Sequence, residues 1–472
     1  VFGTVSTGSG PKTWTFGPIS VEWYGAGAGA TVTDVVAPSH PSASDTARPA
    51  PGPPSASARR AVRGGIMGNY VDQFDIFLPI IALAPAAAHL YGTENMVTNA
   101  GLIFIATLVG RPLGAAVFGS LADRIGRSRT TQITIAGVAL TTLLIAAVPA
   151  HGLLGAGTLL LIVALRFLGG IFIGGGYTAA VPLAMEWAPP RRRGLVSGLI
   201  MWMSPWANAS IAALVFVLLG ALGADRYADW GWRVPFLLGG LMALGLLVYY
   251  RRYVVDTSPT DAPVPARPRH PLREILFGAY RKQLWQVFVL MSGMWLFTNM
   301  AVAVLSGQLK TSDSLDDQRV AFTMFVATAA SAVTMAACGQ LSTLVGRRRF
   351  FVAFGLAAAV LAPVLYLAVF RQGAGPGLVL LVAGLHVVTV SVYGPVGAYL
   401  TERFPAAVRS SGYGVAYSLS IVLPALYPYY LPPLQGLLGQ YGAVAALLAL
   451  AGALVAVGAA AGPRVSTRHP LR

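Results

Sequence analysis

The chain has 472 residues, of which 55% are apolar and only 11% charged, with 54 glycines, 32 prolines and a mean hydropathy of +0.65. Soluble domains carry about 25% charged residues, so ordinary soluble cores cannot hide this much apolar surface. A single cysteine, Cys338, excludes a disulfide scaffold, and the hydrophobicity excludes disorder over the whole length. What remains is a polytopic membrane protein. The net charge of +16 would fit a nucleic-acid partner, but the arginines fall in short clusters between apolar runs of about 20 residues, the length that crosses a bilayer as a helix. That placement points to loops on one side of a membrane and to no nucleic-acid face.

In chain order, residues 1–64 form a Gly/Ala/Pro/Ser/Thr-rich tail that reads as disordered. No apolar stretch follows a basic start, so the tail does not read as a secretory signal. Twelve apolar segments follow, at 66–90, 97–120, 131–150, 156–186, 195–222, 233–250, 284–306, 320–345, 350–370, 376–401, 411–436 and 442–462. The expected organisation is an all-α polytopic protein: a six-helix half over 65–250, a polar linker over 251–283, a second six-helix half over 284–462 and a short tail over 463–472. With the N-terminus inside, 26 of the 33 basic residues lie in cytoplasmic segments and five in outer loops. This asymmetry places both termini in the cytoplasm. Two basic residues, Arg111 and Arg166, lie within the apolar segments.

The halves repeat. Gly119-x-Leu121-x4-Gly126-Arg127-x-Arg129 recurs as Gly339-x-Leu341-x4-Gly346-Arg347-x-Arg349, and Glu186-x2-Pro189-x3-Arg193 recurs as Glu402-x2-Pro405-x3-Arg409. Tandem repeats with a binding site at their interface are a transporter architecture.

These residues resemble the major facilitator superfamily. Gly119 to Arg129 is similar to its signature loop between helices 2 and 3, and Arg166-x3-Gly170-x3-Gly174 to its helix-4 motif. Within the superfamily the chain most resembles the metabolite:proton symporters, which include proline/betaine, α-ketoglutarate, citrate and shikimate carriers. That likeness rests on Asn69-Tyr-Val-Asp72-Gln-Phe-Asp75-Ile-Phe77, Arg111-Pro-Leu-Gly114, Trp230-Gly-Trp-Arg-Val-Pro-Phe236 and Glu402-Arg-Phe-Pro405-Ala-Ala-Val-Arg409-Ser-Ser-Gly412. The resemblance implies a secondary transporter, not an enzyme, that moves a small organic anion or zwitterion with protons by alternating access. It also implies a bacterial inner-membrane location and a monomer. There are departures. Gly176 stands where the family usually has a Glu after the helix-4 glycines, Thr343 stands where the first-half loop has Asp123, and helix 5 lacks the glycine/proline motif of antiporters. The last favours import; a proton-driven exporter of aromatic or amphipathic compounds and a transport-inactive membrane sensor are the rival readings.

Intramembrane charges cost roughly 2.5–3.5 kcal/mol each on insertion scales, so each needs a partner or a task. Asp75 lies roughly 15 Å into the first helix, near the midplane, with Asp72 one turn earlier on nearly the same face. Either acid is a candidate proton carrier, or the two only neutralise arginines of helices 2 and 4. Arg166 and His386 join them as proton-coupling candidates, His386 with the alternative of a packing role. Arg111 is placed to hold a substrate carboxylate with its two-pronged guanidinium, or to neutralise Asp72. Trp202 and Trp206, Trp295 and Asn299, and Tyr413 and Tyr417 lie on segments that line the cavity in the resembled fold. With Tyr177 they are candidate substrate contacts, by stacking or cation–π attraction.

In the loops, Asp123 fits a helix N-terminus, whose partial positive charge favours a carboxylate; the resemblance names the eleventh helix, near Ser410. Arg127 adds a salt bridge. Gly119, Arg124, Gly126, Glu186, Arg193, Gly346, Arg347, Glu402 and Arg409 complete the expected gating set. No Walker motif, metal-ligand cluster or nucleophile triad is visible, so no cofactor or metal is expected and gradients must supply the energy.

Overall fold

The computed structural model describes residues 12–16, 19–23, 56–91, 96–149, 151–255, 271–310, 317–372 and 375–463. It divides into a unit over Val1–Pro53 and a unit over Pro54–Arg472. In the first, Lys12–Phe16 and Ile19–Trp23 pair as an antiparallel hairpin, Lys12 opposite Trp23 and Phe16 opposite Ile19. The expectation of a wholly disordered tail is therefore corrected at these strands. It is corrected again at its end, because the first helix already begins at Ala56, where Ala and Arg are good helix formers. The rest of the tail, the linker over 256–270 and the C-terminal tail beyond residue 463 lie outside the described residues.

The second unit is helical. We label α1 (Ala56–Ala82), α2 (Met96–Ile125), α3 (Arg127–Ala146), α4 (Ala156–Trp187), α5 (Arg193–Arg226) and α6 (Arg233–Tyr253) in the first half. The second half holds α7 (Arg281–Thr298), α8 (Asp317–Val345), α9 (Arg347–Arg371), α10 (Pro376–Thr389), α11 (Arg409–Leu419) and α12 (Gln440–Ala460). Eleven helical stretches among the described residues are long and apolar enough to cross a membrane. The eleventh apolar segment is the exception. It is broken into Arg409–Leu419, Val422–Ala425 and Tyr427–Leu438, a region holding Pro424, Pro428, Pro432 and Pro433, each of which lacks the N–H that would continue the ladder. Leu160, Phe216, Val333, Val360 and Leu380 are among many large apolar side chains left on the outside, as a bilayer-facing surface requires.

The two halves pack alike. α2 lies on α4, α3 on α6 and α1 on α5; correspondingly α8 lies on α10, α9 on α12 and α7 on α11. The α2–α4 seam is tight because glycines face backbone: a methyl group on Gly114 or Gly174 would run into the main chain of the other helix. The halves meet through α2 on α11 and α5 on α8. Gly126 and Gly346, at φ 103° and 100°, each take the chain from one helix directly into the next through a conformation that favours glycine.

Candidate functional site

Two ion-pair clusters tie the halves together at the end of the bundle that carries the basic loops. In the first, Asp123 is buried at the end of α2 and accepts the backbone N–H of Ser410 at 3.0 Å, the N–H of Ser411 at 2.9 Å and the Ser411 hydroxyl at 2.7 Å. Ser410 and Ser411 open α11, so the carboxylate sits on unsatisfied N–H groups at the positive end of a helix. Arg127 lies 3.9 Å from Asp123 and 3.2 Å from Glu186, and donates to the Ala406 carbonyl at 3.0 Å. Arg409 of the other half reaches the same Glu186 at 2.5 Å. Arg124 is exposed on the same turn of α2.

The second cluster repeats the first with the halves exchanged. Glu402 receives Arg347 of its own half through Nε and Nη2, both at 3.0 Å, and Arg193 of the first half at 3.3 Å. Arg347 also donates to the Thr343 hydroxyl at 3.0 Å. Each glutamate thus holds one arginine from each half. Gly119 and Gly339 mark where the helices of opposite halves approach: a methyl on Gly119 would lie 2.9 Å from Ser411 Cα, and one on Gly339 would collide with the Gly194 carbonyl.

Inside the first half, Arg166 of α4 donates to the Asp75 carboxylate at 2.9 Å, to the Asp75 carbonyl at 2.9 Å and to the Thr107 hydroxyl at 3.1 Å. The Thr142 hydroxyl donates to the other Asp75 oxygen. Asp75 and Arg166 are buried and satisfy each other. Asp72 and Arg111 are buried too, yet differ: neither makes a hydrogen bond or ion pair among the described residues, and Arg111 Nε is enclosed without an acceptor. Arg111 is close enough to act electrostatically on Asp72, Tyr393 and Tyr417. His386 lies away from this group, buried, with Nε2 at 3.0 Å from the Ala301 carbonyl. That carbonyl belongs to the π-helical turn Asn299–Val304 that follows α7.

An aromatic cluster bridges the halves. Tyr177 of α4 stacks on Tyr417 of α11 at 4.6 Å between ring centres and lies 5.9 Å from Tyr413. Trp295 of α7 meets Tyr417 edge-on at 5.1 Å and Tyr393 at 5.5 Å, and its indole N–H donates to the Tyr417 carbonyl. The Tyr177 hydroxyl donates to Met201 of α5, whereas the Tyr413 hydroxyl is buried without a partner. Trp202 is half-buried with its N–H unpartnered, Trp206 is half exposed, and Asn299 is half-buried in the π-helical turn. Sequence reasoning overlooked Tyr393, Thr107, Thr142 and Tyr250. Only Tyr393 had a signal, its place beside Gly394-Pro395 where the tenth segment bends.

The family model of the Major Facilitator Superfamily matches residues 67–428. The inner membrane metabolite transport protein YhjE of Escherichia coli is 27% identical, over 84% of this chain and 93% of that protein. The proline/betaine transporter of Escherichia coli is 24% identical over 78% and 76% of the two chains, and the alpha-ketoglutarate permease of the same organism 25% identical over 76% and 83%. Among solved structures, the proton:xylose symporter XylE bound to 6-bromo-6-deoxy-D-glucose superposes with a TM-score of 0.65 at 17% identity, covering 86% of this chain and 95% of that one. The fucose:proton symporter of E. coli superposes with a TM-score of 0.66 at 13% identity, over 86% and 98%. Two six-helix halves related by repeated loops, joined at swapped ion-pair clusters, and a family match over most of the length establish that this multi-pass membrane protein belongs to the Major Facilitator Superfamily.

Proposed function

We propose that the chain imports a small polar metabolite carrying a carboxylate, an organic anion or a zwitterion, together with protons, by alternating access. The observation that carries this reading is Arg111: a buried guanidinium of the first half that acts electrostatically on Tyr393 and Tyr417 of the second, with no anion of the protein bound to it among the described residues. A buried cation that no carboxylate contacts directly is costly, even with Asp72 nearby, and a substrate carboxylate bound to it would relieve that cost. Tyr177, Tyr413, Tyr417 and Trp295 supply the walls, and Trp202 and Asn299 stand on adjoining helices. The relatives named as proline/betaine and α-ketoglutarate carriers support this substrate class. The basic end of the bundle faces the cytoplasm, as the arginine asymmetry of the loops requires, and the ion-pair clusters hold that side shut. Asp75 with Arg166, and Asp72, are the groups that carry protons. The aromatic cluster by itself would suit an exporter of aromatic compounds, but such a substrate leaves the Arg111 charge unanswered.

The test is substrate affinity in the purified carrier, with proline and α-ketoglutarate as probes. Arg111→Ala is expected to weaken binding of the transported probe by about 2–5 kcal/mol, the range for truncating one side of a buried charge pair. Arg111→Lys should not restore it, because an ammonium cannot reproduce the two-pronged contact. Full affinity in the Lys variant would reduce Arg111 to a point charge, and full affinity in the Ala variant would remove it from the site.

A further inference from the structure

Asp72 has company that neither the substrate chamber nor the Asp75–Arg166 pair uses. Tyr250, three residues before the end of α6, is fully buried, and its hydroxyl has no hydrogen-bond partner among the described residues. It faces a smooth strip of α1: a methyl on Gly64 would lie 3.3 Å from the Tyr250 hydroxyl oxygen and one on Gly68 3.8 Å from it. Asp72 is the next residue of that strip, one turn beyond Gly68, and helix side chains lean back toward the N-terminus. The Tyr250 hydroxyl thus lies one helical turn short of Asp72 along the same strip of α1, close enough for the two to act on each other electrostatically. The other groups around Asp72 are Arg111 from α2, Asp75 from α1, Thr134 from α3 and Gly176 from α4. Gly176 leaves its flank open: a methyl there would stand 3.6 Å from one Asp72 oxygen and 3.7 Å from the other, and 3.5 Å from the Thr134 hydroxyl.

The Tyr250 hydroxyl is enclosed without a partner and the carboxylate of the buried Asp72 makes no hydrogen bond among the described residues, so each carries a desolvation cost. Buried water meets such a cost when it finds several polar partners in one place. Asp72, Tyr250 and Thr134 are such partners, and Gly176 puts no side chain between the Asp72 carboxylate and the Thr134 hydroxyl.

We propose that Asp72 and Tyr250, bridged by water, form a proton-release path that runs inside the first six-helix half, separate from the substrate route between the halves. The inference rests on the proton-coupled reading above. A proton leaving the Asp72 carboxyl passes to the bridging water, which gives one of its own to the Tyr250 hydroxyl. That hydroxyl gives its own proton to solvent water at the end of α6, three residues on, so the bridging water and the tyrosine each gain one proton and lose one and stay neutral. Arg111 acts on Asp72 on one hand and on Tyr393 and Tyr417 of the aromatic cluster on the other. A substrate carboxylate that occupies Arg111 withdraws positive field from Asp72 and favours its protonated form; substrate release restores the field and expels the proton along the path.

The experiment uses the full chain in liposomes that contain a pH-sensitive dye, with proline and α-ketoglutarate as probes. In the unaltered protein, probe uptake should acidify the lumen. Tyr250→Phe keeps the ring against Gly64 and removes only the hydroxyl. It should slow acidification and uphill uptake by about a hundredfold, the low side of what loss of a positioned proton carrier costs. Probe counterflow, which needs no net proton movement, should stay unchanged. Tyr249→Phe, whose hydroxyl bonds the Arg60 carbonyl at the exposed surface, should do neither. Unchanged acidification in Tyr250→Phe overturns the path and leaves proton coupling standing. Counterflow without acidification in the unaltered protein overturns the coupling and the path with it. Hydroxyl-radical footprinting of the unaltered protein decides the matter without transport, since radicals form at bound water. Tyr250 should be oxidised, while Tyr227, equally buried but bonded to the Ala82 carbonyl at 2.8 Å, should not. An unmodified Tyr250 overturns the proposal.

Discussion

In the first cluster between the halves a carboxylate, Asp123, receives two backbone N–H groups and a hydroxyl at the start of α11. At the matching place in the second cluster stands the uncharged Thr343 hydroxyl, which receives Arg347 at 3.0 Å beside the start of α5. The ion pairs around both are equivalent, each glutamate holding an arginine of either half. The backbone approach differs in the opposite sense. Gly339 and Gly194 lie so close that neither tolerates a methyl group, whereas Gly119 and Ser411 are less tightly opposed. One seam is held by charge on a helix end and the other by close glycine packing. The repeat therefore preserved the ion pairs while each half specialised the contact beneath them.

The two clusters should differ most in what their glutamates hold together. Glu402→Gln leaves Arg347 and Arg193 enclosed without a carboxylate, and removing one partner of a buried pair costs about 3–5 kcal/mol. Glu186→Gln should cost less, because Arg127 is partly exposed and can be hydrated, whereas Arg193 and Arg347 are enclosed. Melting temperatures of the two purified variants, taken side by side, check this; equal losses would mean that the clusters are energetically the same.

A smaller effect is expected from Asp123→Asn. A carboxylate at a partly buried helix N-terminus contributes up to ~2 kcal/mol, and each 1.4 kcal/mol lost shifts a two-state population about tenfold. Labelling of a cysteine placed in the cavity behind the cluster should accelerate accordingly, with little change in protein abundance. A labelling rate equal to that of the parent would show that the ion pairs alone hold this side shut.

Thr343→Asp should have the smallest effect, and it sharpens the contrast by giving the second seam the first one's chemistry. The new carboxylate would meet Arg347 and the start of α5, a gain of about 0.3–1 kcal/mol for the closed arrangement. Slower labelling of the same cysteine is the expected result. Faster labelling would mean that the tight Gly194–Gly339 approach has no room for the added charge.

Much of this was legible in the chain. Length and composition required a polytopic membrane protein, since no soluble core hides that apolar surface. The paired loop motifs showed two related halves, because the same glycines and arginines recur in the same order. Residue chemistry singled out Asp72, Asp75, Arg111 and Arg166, as charges within a bilayer need a partner or a task. It left open which acid each arginine holds, because helix spacing places residues on a face without saying which neighbouring helix that face meets. Tertiary packing decided it. Thr107 and Thr142 come from α2 and α3 to complete the Asp75–Arg166 pair, so Asp72 and Arg111 stand apart with their bonding unmet. Packing also enclosed Tyr250, a tyrosine at a helix end that reads in sequence as an interfacial aromatic and becomes Asp72's neighbour only because two glycines of α1 let its ring in.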